Sequence, residues 1–258
     1  HGRKNQLDAG WDRAFGYDST QGDAAPSSDF RPRRAGRPLT GPYPIAQAKG
    51  ITLSPVLEPF VWGPSGLDGL DELDNHYAHQ AIAVLKEGRE RPLFLAVGFY
   101  RPHLKWTAPD RFFDMYPPEK IELPRNPAND LDDLPPAAKV GWLDDTKIMP
   151  TEMMREAIAA YYACCSFVDT CVGQLIDALE ETGQIDNTII VLWSDHGFML
   201  RHHFMWGKSR LFEIACRTPL LIFVPGMETT GRRCSRLVEL VDIYPTLVEL
   251  CGLPQKKD

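Results

Sequence analysis

The feature that most constrains this chain is the unbroken apolar run Ile189-Ile-Val-Leu-Trp193, which stops at Ser194-Asp-His-Gly197. Such a run has no polar face, so a strand built from it must be covered on both sides, as in a parallel sheet layered between helices. Open α/β sheets bind ligands beyond the carboxyl ends of their strands. Asp195 and His196 stand at such an end and offer a carboxylate oxygen and an imidazole nitrogen to one metal ion. An aspartate after a strand also serves as the N-cap of a following helix, and the tetrapeptide alone does not choose between the two uses. Lys208, about a dozen residues further on, adds a cation.

Two more apolar runs repeat the pattern. Leu93-Phe-Leu-Ala-Val-Gly-Phe99 empties into Tyr100-Arg-Pro-His103, where Pro102 fixes a turn and Arg101 and His103 flank it as groups able to hold an anion. A structural histidine at a strand end is the alternative for His103. Thr218-Pro-Leu-Leu-Ile-Phe-Val-Pro-Gly226 reads as a third buried strand. Helices lie between the strands. One starts at Asp74, with Ala78, Ala81, Ile82 and Leu85 on one face, and ends at Gly88. The longest is capped by Thr151 and ends before Gly183, with Ile158, Tyr161, Cys165, Val168, Val172, Leu175 and Leu179 as its apolar stripe. A short one follows Val241-Asp242, with Pro245 in its first turn and Gly252 beyond its end. Strand and helix alternate, so the expected class is α/β with a largely parallel sheet and helices on both faces.

Residues 1–70 are rich in Gly, Pro, Asp, Arg and Ser and read as a long irregular excursion, with residues 71–258 as the ordered portion. The arginines between 31 and 37 could line the approach of an anionic substrate, or simply form a solvated basic loop. Prolines return between Thr107 and Pro150, where Asp132-Asp133 and Asp144-Asp145 follow no strand and read as solvated loop acids. A net charge of −7 argues against a protein whose work is to grip nucleic-acid phosphates. The apolar runs are far shorter than the roughly 20 residues that span a bilayer. No charged-then-apolar leader opens the chain, and its start at His1 reads as an interior cut. The six cysteines show no metal-binding spacing. Cys164, Cys165 and Cys171 fall in the long helix and read as buried thiols, and a Cys234–Cys251 pairing is left open.

Five ordered segments together resemble the sulfatase family, and within it the iduronate 2-sulfatase-type enzymes. They are Phe94 to His103, Ser194 to Gly197, Trp206-Gly-Lys208, Arg217-Thr-Pro-Leu-Leu221 and Val241 to Leu247, with Leu134-Pro-Pro-Ala137 as a further match. The resemblance implies an alkaline-phosphatase-like α/β/α sandwich that hydrolyses sulfate esters with calcium and a formylglycine made from a cysteine. It implies a sulfated small molecule or glycan as substrate, and a secreted, periplasmic or lysosomal setting. By the same resemblance Asp195 and His196 are metal ligands, and His103 and Lys208 bind sulfate and assist proton transfer to the leaving oxygen. Arg101 faces the substrate, and His1 stands where the family has a histidine ending a Gly-Lys segment.

The departures matter as much. The family's nucleophile motif is Cys-x-Pro-x-Arg, or Ser in place of Cys, and no Cys or Ser here has Pro two residues on; Cys216-Arg-Thr-Pro219 places it one residue late. In the family's order this motif and the paired aspartates precede His1. The chain is therefore expected to be a partial sulfatase domain lacking the N-terminal part, and inactive alone. Arg201-His202-His203 replaces the Gly-Glu-His common before Trp-x-Lys, which leaves open how that loop turns. Two other readings stand beside the sulfatase: a phosphatase or phosphodiesterase of the alkaline phosphatase superfamily using two metal ions, and a non-catalytic anion-binding protein.

Overall fold

The computed structural model describes residues 40–41, 60–67, 72–139, 142–143, 149–228 and 231–254. His1 and the arginines from 31 to 37 lie outside the described residues, as do Asp144 and Asp145. In chain order the elements are β1 (Trp62–Pro64), α1 (Leu73–Lys86), β2 (Trp106–Ala108), α2 (Asp110–Phe113), β3 (Trp142–Leu143), α3 (Thr151–Glu181), β4 (Ile190–Trp193), β5 (Met199–Leu200), β6 (Met205–Gly207), α4 (Glu213–Cys216), β7 (Leu220–Phe223) and α5 (Ile243–Leu250). They form two compact units. The first comprises His1–Ile185 with Leu200–Trp206, the second Asp186–Met199 with Gly207–Asp258.

The first unit carries a well-filled core. β1 and β2 pair in parallel with Trp62 opposite Trp106. Phe60 sets its ring 4.9 Å from Trp106 and 5.7 Å from Trp206 in edge-on contacts. β1 is thus ordered structure inside the stretch read as irregular. No periodic signal marks it, because a three-residue strand is too short to show one. α3 packs on α1 and β2. It begins at Thr151, but the N-cap residue is Pro150, and Thr151 makes no capping bond. Its end is as expected: Gly183 takes φ +67, and the Gln184 N–H donates to the Leu179 carbonyl at 2.8 Å.

The buried face of α3 differs from the expected stripe. Met154, Ala157, Ile158, Ala160, Ala163, Cys164, Phe167 and Cys171 are buried, whereas Cys165 is exposed and Val168, Val172 and Leu175 are half-buried. Small residues supply much of this face, and α1, which packs on α3, likewise buries Ala78 and Ala81. A pattern read for large apolar residues misses such a face.

In the second unit β4 and β7 pair antiparallel, with Ile190 opposite Phe223 and Trp193 opposite Leu220. Both strands were expected, but covered on both faces in a parallel sheet. Instead Trp193, Leu221 and Ile222 are 49%, 59% and 42% exposed. The unit's described helices α4 and α5 bury one side chain each, Ala215 and Val248, too little to cover both faces of the ribbon. Likewise Leu93–Phe99, expected as a buried strand, runs extended outside any described ladder, with Phe94 69% exposed. Of the pairings whose direction is described, β1·β2 is parallel, and β3·β6 and β4·β7 are antiparallel. The described residues form a mixed α/β architecture with small sheets. No helix among the described residues is long and apolar enough to cross a membrane.

Candidate active site

In the second unit the chain leaves β4 at Trp193 and turns at once. The Ser194 hydroxyl donates to the His196 carbonyl at 2.9 Å, closing the turn on itself. The Gly197 N–H donates to the Ala215 carbonyl at 2.9 Å, which docks the turn on α4. A Cβ at Gly197 would lie 2.1 Å from the Ile214 carbonyl oxygen, so only glycine fits this approach.

The docked turn sets the histidine's tautomer. His196 Nδ1 lies 2.8 Å from the Gly197 carbonyl oxygen, and a carbonyl only accepts, so Nδ1 carries the proton. In the neutral ring Nε2 then presents a lone pair 3.5 Å from Asp195 Oδ2. Two such electron-rich atoms repel unless a proton or a metal cation joins them. The Asp195 side chain is 82% exposed and so within reach of solvent ions. The pair fits a divalent cation, and the carboxylate is the oxygen donor calcium prefers, although calcium takes about six to eight ligands. Among the described residues no three His, Cys, Asp or Glu side chains converge on one metal position.

Lys208 belongs to the same unit and is half-buried directly after β6. Gly207 before it has φ +108 and Ser209 after it φ +66, so the lysine sits between two left-handed residues. Arg210 Nη1 donates to the Ser209 carbonyl at 3.1 Å and braces that turn.

His103 and Arg101 belong to the first unit. Their turn hangs on a residue the sequence did not suggest. Asp74, 2% exposed in the first turn of α1, accepts the backbone N–H of Tyr100 at 2.6 Å and of Arg101 at 3.0 Å. Burial pushes the Asp74 carboxyl above its ordinary range, while those two N–H groups and the Arg101 charge pull it back. Arg101 is anchored in turn: Nε donates to the Thr107 carbonyl and Nη2 to the Thr107 hydroxyl, both at 2.7 Å. Its immediate work is therefore to tie the turn to β2. His103 stacks 4.9 Å from the Tyr100 ring, and its Nδ1 meets the Leu104 carbonyl oxygen at 2.8 Å. Nδ1 thus holds a proton, and Nε2 is the nitrogen that can give or take one. Nothing local marks Asp74 for this role, because its partners lie 26 and 27 residues away.

Cys164 and Cys171 are buried thiols, as expected, but Cys165, expected with them, is exposed; Cys216, Cys234 and Cys251 are exposed too, and none of the six is in a disulfide, Cys234 and Cys251 included.

Comparison with known proteins bears on this geometry. The sulfatase family model matches residues 3–253. A sulfatase of Formosa agariphila is 40% identical over 186 residues, covering 68% of this chain and 36% of its own length. The iduronate 2-sulfatase of Mus musculus is 33% identical over 221 residues, covering 70% of this chain and 40% of its own. The crystal structure of the phosphonate monoester hydrolase of Agrobacterium radiobacter superposes with a TM-score of 0.63 at 28% identity, over 73% of this chain and 40% of that one. The chain thus spans about two-fifths of the length of these relatives, within the alkaline-phosphatase-like fold of sulfatases and phosphonate hydrolases. A match over nearly the whole chain places it in the sulfatase family.

Proposed function

We propose that this chain serves the hydrolysis of a sulfate ester, borne on a sulfated glycan or a related compound, with Asp195 and His196 as ligands of a calcium ion. The observation that carries this reading is the facing pair of lone-pair atoms, Asp195 Oδ2 and His196 Nε2, 3.5 Å apart at the end of β4. Calcium, when bound, supplies positive charge to the sulfate oxygens. The chain's own residues supply the rest. Lys208 offers an ammonium with three donors to a sulfate oxygen or to the bridging oxygen as negative charge builds there. His103 offers Nε2 for proton transfer to the leaving alcohol, its ring held by Tyr100 and Leu104. Arg101 contributes positive potential from a guanidinium already fastened to Thr107. His1 is assigned to the same sulfate-binding group by the family motif alone. The attacking group expected of the family is a formylglycine, and no Cys or Ser of this chain stands in its motif.

Two measurements test this. Calorimetric titration of the full chain should show calcium binding that Asp195→Ala abolishes; binding unchanged in that variant removes Asp195 and His196 from the metal site. The pure chain should show no turnover of an aryl sulfate, because positioned donors do not replace a covalent nucleophile. Appreciable hydrolysis would overturn that part. A phosphonate or phosphate ester as substrate is the second reading, favoured by the superposition on the phosphonate monoester hydrolase. Competition between sulfate and a methylphosphonate for the site separates the two.

A further inference from the structure

The first unit contains a cavity of about 390 Å³, formed where α3 meets the segment Glu122–Arg125 and the start of the Arg201–Phe204 loop. The buried Ile158 and Leu200 underlie it, His202 and the exposed Tyr162 ring line it, and the exposed Glu122 and Arg125 complete the lining. This volume lies at the lower end of the range for small-molecule sites, which is about 300–1,000 Å³.

His202 is presented to the cavity by an unusual backbone. The residues on either side of it, Arg201 at φ +73 and His203 at φ +54, are both left-handed, and Phe204 follows at φ +55. Non-glycine residues in this region cost roughly 1–3 kcal/mol each and persist where their surroundings over-determine them. Here the surroundings are explicit. One side chain, Asn126, donates from Nδ2 to the Arg201 carbonyl at 2.8 Å and accepts the His203 N–H on Oδ1 at 3.1 Å, clamping the backbone on both sides of His202. Arg201 Nη1 donates to the Pro124 carbonyl at 3.0 Å, and His203 pairs with Asp130 at 2.9 Å. The Leu200 N–H donates to His202 Nδ1 at 3.3 Å, which leaves Nε2 as the donor of the neutral ring. Burial lowers the pKa of His202 and favours that neutral form.

We infer that this cavity binds one sugar ring of a glycan. A pyranose has a C–H face for the exposed Tyr162 ring and hydroxyls that both donate and accept. Glu122 accepts from them, while Arg125 and His202 donate to them. A simple anion would meet the Glu122 carboxylate, and a wholly apolar ligand would leave the His202 Nε2–H without a partner at a cost in free energy. None of these residues is among those assigned to sulfate hydrolysis, so the site stands or falls independently of that reaction.

The test reads binding in the full chain. Nitrogen-labelled protein is titrated with methyl β-glucoside and methyl β-glucuronide while the histidine ring nitrogens are followed by NMR. The His202 ring, in its Nε2–H tautomer, should move saturably. Tyr162→Ala should weaken binding about tenfold, the scale of one aromatic contact. Arg125→Ala, at an exposed position that carries no core packing, should weaken it several-fold while leaving the melting temperature unchanged. The inference is overturned if the His202 resonances do not move at the highest soluble glycoside concentration, or if both variants bind as the parent does. It is also overturned if inorganic sulfate alone reproduces the shifts, which would mark an anion site.

Discussion

The turns Tyr100–His103 and Ser194–Gly197 both follow apolar runs and each has an aspartate beside it, yet the two aspartates have opposite fates. Asp74 is buried and its carboxylate is taken up by two backbone N–H groups, so it holds the first turn and has no reach to solvent ions. Asp195 is 82% exposed in side chain, because the second turn is held by the Gly197 backbone on Ala215 and needs no carboxylate for support. The difference teaches that an acid beside a strand end becomes available for chemistry only when something else fixes the turn. It extends to the units around the turns: nearly all the buried apolar side chains belong to the first, while the β4·β7 ribbon of the second remains half-exposed.

Thiol labelling should give the largest contrast between the two units. Cys164 and Cys171 are fully buried, with the Cys171 thiol pushed up to about 12 by burial, whereas Cys216, Cys234 and Cys251 are exposed, as is Cys165 on the outer face of α3. Mass spectrometry after brief maleimide treatment should find Cys216, Cys234 and Cys251 modified about a thousandfold faster or more than Cys164 and Cys171, since that buried pair reacts only through opening of the core. Equal rates would mean that the first unit is no better packed than the second.

Next in size is Asp74→Ala, which strands the Tyr100 and Arg101 N–H groups and should cost about 3 kcal/mol of stability. A denaturant midpoint within error of the parent's would show that the turn does not depend on this carboxylate. The pH dependence sharpens the point. The folded chain holds the Asp74 proton more tightly than the unfolded chain, whose carboxyl keeps its ordinary value of 3.8. Its contribution to stability is therefore complete below that value and is lost as pH rises through the higher folded value. Over that rise the parent should lose melting temperature relative to Asp74→Asn; a gap that stays constant with pH would contradict the shift.

Lys208→Ala, measured in an intact version of the protein that turns over sulfate esters, should lower kcat/KM about a hundredfold while barely moving Tm. Normal turnover, or a loss that merely follows unfolding, would remove Lys208 from the site. The smallest effect expected is that of Gly197→Ala. The new Cβ meets the Ile214 carbonyl, and relief by backbone shift should cost about 1–3 kcal/mol, with calcium affinity falling alongside as Asp195 and His196 move. Unchanged calcium affinity would show that the docked turn does not set the ligand pair.

Two helix ends were legible in the sequence because they are local: Gly183 and Gly252 take the left-handed conformation at the ends of α3 and α5, whereas α1 ends in an extended Glu87 and Gly88 is not left-handed. The apolar stretches that became β4 and β7 were legible for the same reason, since a run of branched and aromatic residues favours an extended backbone whatever lies beside it. The motif residues that mark the sulfatase family could also be read in order along the chain. What lies next to a strand could not. The antiparallel pairing of β4 with β7, the packing of α3 on α1, and the burial of Asp74 all depend on residues brought together across long separations. The Asn126 clamp shows this most clearly: it orders three left-handed residues from 75 and 77 positions away, without a glycine in the loop to announce the bend. Local backbone preference was written in the sequence, whereas the choice of partners was made by tertiary packing, because hydrogen bonds and close contacts reward groups adjacent in space and spacing along the chain does not encode that adjacency.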